Sequence, residues 1–172
     1  KKFKHFIKDI NLIIDLDETI SVKVSTINSF TYSSNLSDDT LVNLLNLKKS
    51  VMKNFIDYDL LHMTINKYII NGKEYSVIPD NDTIENMLLE VNFDMINKYI
   101  IQDLRTLLSE YEILVNNVSN FKYVNFFNNF NSDNIFLLTN KLINGFNQNE
   151  IHFKKNKVRE NGIFAKFFNL FN

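Results

Sequence analysis

Asp15 and Asp17 stand one residue apart at the end of the apolar run Leu12-Ile13-Ile14, and Glu18 and Thr19 follow them. Two carboxylates that converge can hold a magnesium ion, and one of them can attack a phosphorus atom. The run before them reads as a strand buried on both faces, because parallel strands are covered by helices and need no polar side. Ligands of open α/β sheets bind at the carboxyl ends of such strands. A second run, Ile135-Phe136-Leu137-Leu138, ends in Thr139-Asn140-Lys141 and reads as another buried strand closed by a hydroxyl.

Leu12 to Thr19 resembles the first motif of the haloacid dehalogenase superfamily, apolar residues followed by Asp-x-Asp-x-Thr. Ile135 to Lys141 resembles its second, an apolar strand closed by Thr-Asn, in the order found in the phosphoglycolate-phosphatase-like branch. The resemblance implies magnesium-dependent hydrolysis of small-molecule phosphate monoesters. Asp15 would be the nucleophile, forming an aspartyl-phosphate, and Asp17 the general acid and base. Both would serve the Mg2+ site. Thr139 would hydrogen-bond the transferring phosphoryl group, and the backbone N–H at Asn140 would add a second donor. Glu18, where many members carry Gly, gives the Asp-Leu-Asp-Glu-Thr variant of phosphatases resembling those of the RNA polymerase tail, so a phosphoprotein phosphatase is the alternative.

These residues need elements to hold them. Ile20 to Ile27 alternates apolar and polar and predicts a strand, where the superfamily has a hairpin flap. Ser37 to Ile56 carries apolar residues at helical spacing after the caps Ser37, Asp38 and Asp39. A second helix is expected over Leu61 to Ile69, then a turn at Asn71-Gly72 and a capping loop at Pro79 to Thr83. A short helix with Ile84, Leu88 and Val91, and a long one from Phe93 to Leu114, complete this stretch. Val118 to Asn131 predicts a helix packed on the sheet. The expected architecture is therefore α/β: a Rossmann-like parallel sheet from residues 1–34 and 117–172, incomplete in this chain, with a helical C1-type cap inserted over 35–116. The long separation of Asp15 from Thr139 leaves room for such a cap, which a connecting loop would not fill.

Composition bounds the rest. Of the 172 residues 45% are hydrophobic, ample for a core, and the net charge of -1 offers no basic field for nucleic acid or an anionic membrane. No apolar run approaches a membrane span. The chain contains no Cys, which excludes disulfides and thiol catalysis and fits an intracellular, cytoplasmic setting. The aromatic stretch Phe121 to Phe130 is interleaved with Lys122 alone, too few cations for a base-stacking platform.

Only two of the superfamily's four motifs are matched. No Lys sits clearly at the third-motif position, and no acid follows Glu160. Val158 to Ala165 resembles the turn before a third strand, which Phe167 to Phe171 would begin. The chain thus reads as the amino-terminal part of a larger catalytic domain, or as a degenerate, non-catalytic helical interaction protein. Alone it is expected to hydrolyse phosphates poorly or not at all.

Overall fold

In the computed structural model, which describes residues 6–30, 36–79, 84–131 and 134–152, the elements run β1 (Asp9–Ile14), β2 (Ile20–Ser29), α1 (Leu36–Asn54), β3 (Tyr58–Ile70), β4 (Lys73–Tyr75), β5 (Asn86–Asn97), α2 (Lys98–Ser109), β6 (Leu114–Asn120), α3 (Phe121–Asn131) and α4 (Ile135–Ile143). Four strands form an antiparallel sheet in the order β2-β5-β3-β4, and β1 and β6 form a separate two-stranded parallel sheet. This overturns the Rossmann-like parallel sheet with a helical cap. Residues 35–116 supply three of the four antiparallel strands, so the inserted stretch is not a helical bundle.

The large sheet owes its existence to β5. Met87, Leu89, Val91, Phe93 and Met95 all face one side, and each is fully buried. That strict alternation is a strand's period, not a helix's. The partner residues Met63, Ile65, Tyr68 and Ile70 of β3 and Leu44 and Val51 of α1 close the same core. The stretch expected as a second helix is β3, whose pairing with β5 shifts register between Leu60 and His62 and again between Ile65 and Lys67. Such bulges change the spacing of inward residues from two to three and imitate a helix. The Asn71-Gly72 turn does join β3 to β4, both residues having positive φ (49° and 82°), as a two-residue hairpin requires. The β3 edge beyond β4 is extended by Asn149–Ile151: Ile65 N–H donates to Asn149 O, and Ile151 N–H to Met63 O, both at 2.8 Å.

A second core joins the sheets. Ile14 of β1, Ile96 of β5 and Ile101 of α2 are buried together, with Leu12, Leu61, Leu104 and Val118 packed around them. β5 passes directly into α2, whose first turn is capped by the Asn97 side chain accepting from Tyr99 N–H at 3.0 Å. The single helix expected over Phe93 to Leu114 is therefore the end of one strand, a helix of three turns and the start of β6.

Ile135 to Ile143 is a helix, not the second buried strand. Asn134 caps it, its side chain accepting from Phe136 N–H at 2.9 Å, and Leu138, Thr139 and Leu142 are its buried face. Four apolar residues in a row suit either state, and the cap decides. Asn134→Ala is expected to cost about 1 kcal/mol in chemical denaturation; a strand at this position would not respond to loss of a cap. Among the described residues no helix is long and apolar enough to cross a membrane. The expected loop over Pro79 to Thr83 lies largely outside the described residues, as do the turn at Val158 to Ala165 and the strand at Phe167 to Phe171.

Candidate active site

β1 delivers Asp15 to the end of the parallel pair. Its register with β6 sets Ile13 opposite Ser119 and Ile14 opposite Asn120, so Asp15 emerges beside the end of β6. The chain then turns at Asp17 and Glu18, and Thr19 Oγ1 donates to Leu16 O at 3.3 Å across that turn. Asp15 and Asp17 are both exposed. Asp17 Oδ1 meets the Lys122 ammonium at 3.2 Å. Both groups are well solvated, so the pair contributes little stability and serves to hold two charges near one another.

The parallel neighbour of β1 is thus β6, and its terminal hydroxyl is Ser119. Thr139, expected in that position, is buried in α4 with its Oγ1 donating to Ile135 O at 2.8 Å. That bond satisfies the hydroxyl within its own helix. Asn140 is exposed, and its side-chain oxygen accepts from Asn144 Nδ2 at 3.2 Å. Asp15 and Asp17 both lie in the exposed turn that follows β1; Thr139 does not end a strand beside them.

Buried hydrogen bonds fix the end of β6. Asn120 Oδ1 accepts from Lys122 N–H at 2.8 Å and so caps the start of α3. Asn120 N–H donates to His62 Nε2 at 3.0 Å. With Nε2 accepting, the proton lies on Nδ1, which donates to Glu150 Oε1 at 2.7 Å. Tyr123 O–H donates to Glu150 Oε2 at 2.6 Å and accepts from Asn147 Nδ2 at 2.9 Å. The Tyr123 ring stacks on His62, centroids 3.9 Å apart. His62 Nδ1 and Nε2 are both engaged, so this histidine positions Asn120 and is unavailable for proton transfer. Ser119 and Lys122, on either side of Asn120, are accordingly carried on a backbone held from behind by β3, α3 and the segment 147–151.

Burial pushes the Tyr123 phenol far up, and the Glu150 carboxylate pushes it further; burial alone raises Tyr68. The folded chain keeps both protons where the unfolded chain loses them, near pH 10. Their contribution to stability is whole below about pH 10 and drains away as the pH rises past it. Denaturation midpoints measured from about pH 8 to about pH 11 should fall at the alkaline end, and less steeply in Tyr123→Phe.

Two hollows flank this region. A cleft of about 960 Å³ runs along β6, with Ser119, Arg105, Asp59, Asn140 and His152 among its lining. A smaller hollow of about 460 Å³ is bordered by Asp17, Glu18, Tyr58, Tyr99 and Asp103. Among the described residues no three His, Asp or Glu side chains converge as a metal cage.

Ser119, Asn120, Lys122 and the network behind them were missed from sequence. A signal existed: Ile113-Leu114-Val115 followed by Ser119-Asn120 is an apolar segment closed by a hydroxyl, weakened by Asn116 and Asn117 in its middle. Comparison of the chain with models of known protein families and with curated proteins finds no match.

Proposed function

We propose that the adjacent ends of β1 and β6 form a site for hydrolysis of phosphate monoesters. The observation that carries this reading is the parallel pairing that ends β1 and β6 together, Ile14 opposite Asn120, so that Asp15 follows where β6 passes into α3, with Lys122 held 3.2 Å from Asp17. A nucleophilic carboxylate, a second carboxylate, a cation and a hydroxyl are the parts that phosphoryl transfer needs, since its catalysis is mostly positioning and charge stabilisation.

Asp15 Oδ attacks phosphorus, and the bond to the leaving oxygen breaks with its electron pair going to that oxygen. Asp17 gives the leaving oxygen its proton. Water, deprotonated by Asp17, then attacks the phosphorus of the aspartyl-phosphate and releases Asp15 and inorganic phosphate. Ser119 Oγ is suited to donate to a phosphoryl oxygen, and Lys122 offsets the dianion's charge. Magnesium commonly takes one or two carboxylates, with water and substrate oxygens filling its shell. The exposed Asp15 and Asp17 fit that mode, and the ion when bound would neutralise charge between carboxylate and phosphate.

The exposure of both aspartates supports a second reading, a phosphoprotein substrate, because the stretch expected to form a helical cap supplies strands of the antiparallel sheet instead. Small phosphorylated metabolites remain the first reading, since the nearby hollow of about 460 Å³ is of a size for them. A cysteine-free chain suits the cytoplasm in which they occur. The test is covalent labelling. Mixed with magnesium and p-nitrophenyl phosphate or a phosphopeptide, then acid-quenched, the protein should carry a hydroxylamine-sensitive phosphate on the peptide containing Asp15. Label from the phosphopeptide alone selects the second reading; no label from either removes both.

A further inference from the structure

We propose that the free edge of β2 is a self-association surface on which a second copy of this chain adds its own β2, antiparallel, across a two-fold axis through Ser25. β2 is an outer strand of the four-stranded sheet and has β5 as its one neighbour among the described residues. Phe30, immediately after β2, donates its N–H to Glu85 O, on the β5 side. In an antiparallel ladder both backbone groups of a residue point the same way and alternate along the strand. The even-numbered residues of β2 therefore bond to β5. Ser21, Lys23, Ser25, Ile27 and Ser29 turn their N–H and C=O groups outward.

Edges of this kind are normally blunted by bulges, Pro, short length or charged side chains, Lys above all. β2 has ten residues, pairs with β5 without a register shift, contains no Pro and carries one charge, Lys23. Ile27 stands 68% exposed on it. The outward row reads Ser-Lys-Ser-Ile-Ser, with serines at its centre and both ends and Lys23 and Ile27 equally far from Ser25.

That spacing suits a second copy as the occupant. With Ser25 opposite the second copy's Ser25, Ser21 faces the second copy's Ser29 and Lys23 faces its Ile27. Each such pair exchanges two backbone hydrogen bonds. The two lysines are kept apart, and each lies across from an exposed isoleucine that its aliphatic stem can cover. On the other face Val24 meets the second copy's Thr26, a favourable pair of β-branched residues. Both α1 helices fall on one side of the joined sheet, since the axis is perpendicular to it. The contact is isologous and closes at two copies.

Light scattering across a concentration series tests this on the full 172-residue chain. Wild type should dimerise. Ser25→Pro should be monomeric with unchanged circular dichroism, because the N–H it removes points away from β5 and Pro is tolerated on an edge. Ile27→Lys and Ile27→Glu remove the same isoleucine but set a like or an opposite charge across from Lys23. At low salt Ile27→Glu should dimerise at least about tenfold more tightly than Ile27→Lys, with the gap shrinking as salt rises. A wild type that stays monomeric, a Ser25→Pro protein that still dimerises, or equal affinities for the two charge variants would each overturn the proposal.

Discussion

Asp15→Asn is expected to leave no detectable phosphoenzyme, a loss on the order of 10⁴-fold or more, the scale seen when a nucleophile is removed from a unit that acts together. The amide keeps the shape of the carboxylate but lacks the charge that attacks phosphorus. Asp15 is exposed and makes no side-chain hydrogen bond or ion pair among the described residues, so folding stability should change by no more than about 0.5 kcal/mol. Asp17→Asn should be nearly as severe in turnover but should still form the intermediate with a good leaving group such as nitrophenolate, which needs no proton. Labelling reports the attacking residue directly, whatever the rate of the later hydrolysis. Phosphate found on Asp15→Asn at a substantial fraction of the wild-type level would mean that another residue is the nucleophile.

His62→Ala is expected to destabilise the fold by about 3–5 kcal/mol. His62 and Glu150 are each about 5% exposed, and their contact is 2.7 Å. Removing the imidazole leaves a buried carboxylate short of a donor and strips Asn120 N–H of its acceptor, and each orphaned group costs free energy. It also removes the ring on which Tyr123 stacks. His152 Nε2, 3.5 Å from Glu150 Oε2, is too far to replace the lost bond. Urea denaturation measures the loss. Glu150→Gln should cost less, because the amide oxygen can still accept one of the two donors and no charge is left buried. Equal stabilities for wild type and His62→Ala would show that this network contributes no net stability. If Asp15 is the nucleophile, His62→Ala should also slow labelling under conditions where the protein is still folded, since Asn120 and Ser119 lose their anchor.

Several elements were legible because local physics determines them. The apolar run with acids at its end marked β1, strict alternation marked β2, and helical spacing marked α1, although Ser37, Asp38 and Asp39, expected as caps, lie inside the helix. Asn71-Gly72 is a turn because few other pairs adopt two successive positive φ values. The strand pattern of β5 was also present in Met87, Leu89, Val91, Phe93 and Met95, and was misread through Ile84, Leu88 and Val91. Tertiary structure decided the rest. The bulges in β3 exist only in its pairing with β5, and they give its inward residues a spacing that imitates a helix. Ile135 to Leu138 suits strand or helix until Asn134 caps it. β6 carries Asn116 and Asn117 where a buried strand would carry apolar residues; β1 alongside it, with Asn117 donating to Asn11 across the pair at 2.8 Å, makes it a strand. Glu150 reaches His62 from 88 positions away, closing a loop whose entropic cost is offset only once both sheets are in place. Which strand runs beside β1 was therefore settled by strand pairing, since periodicity specifies the faces of an element and leaves its neighbours undetermined.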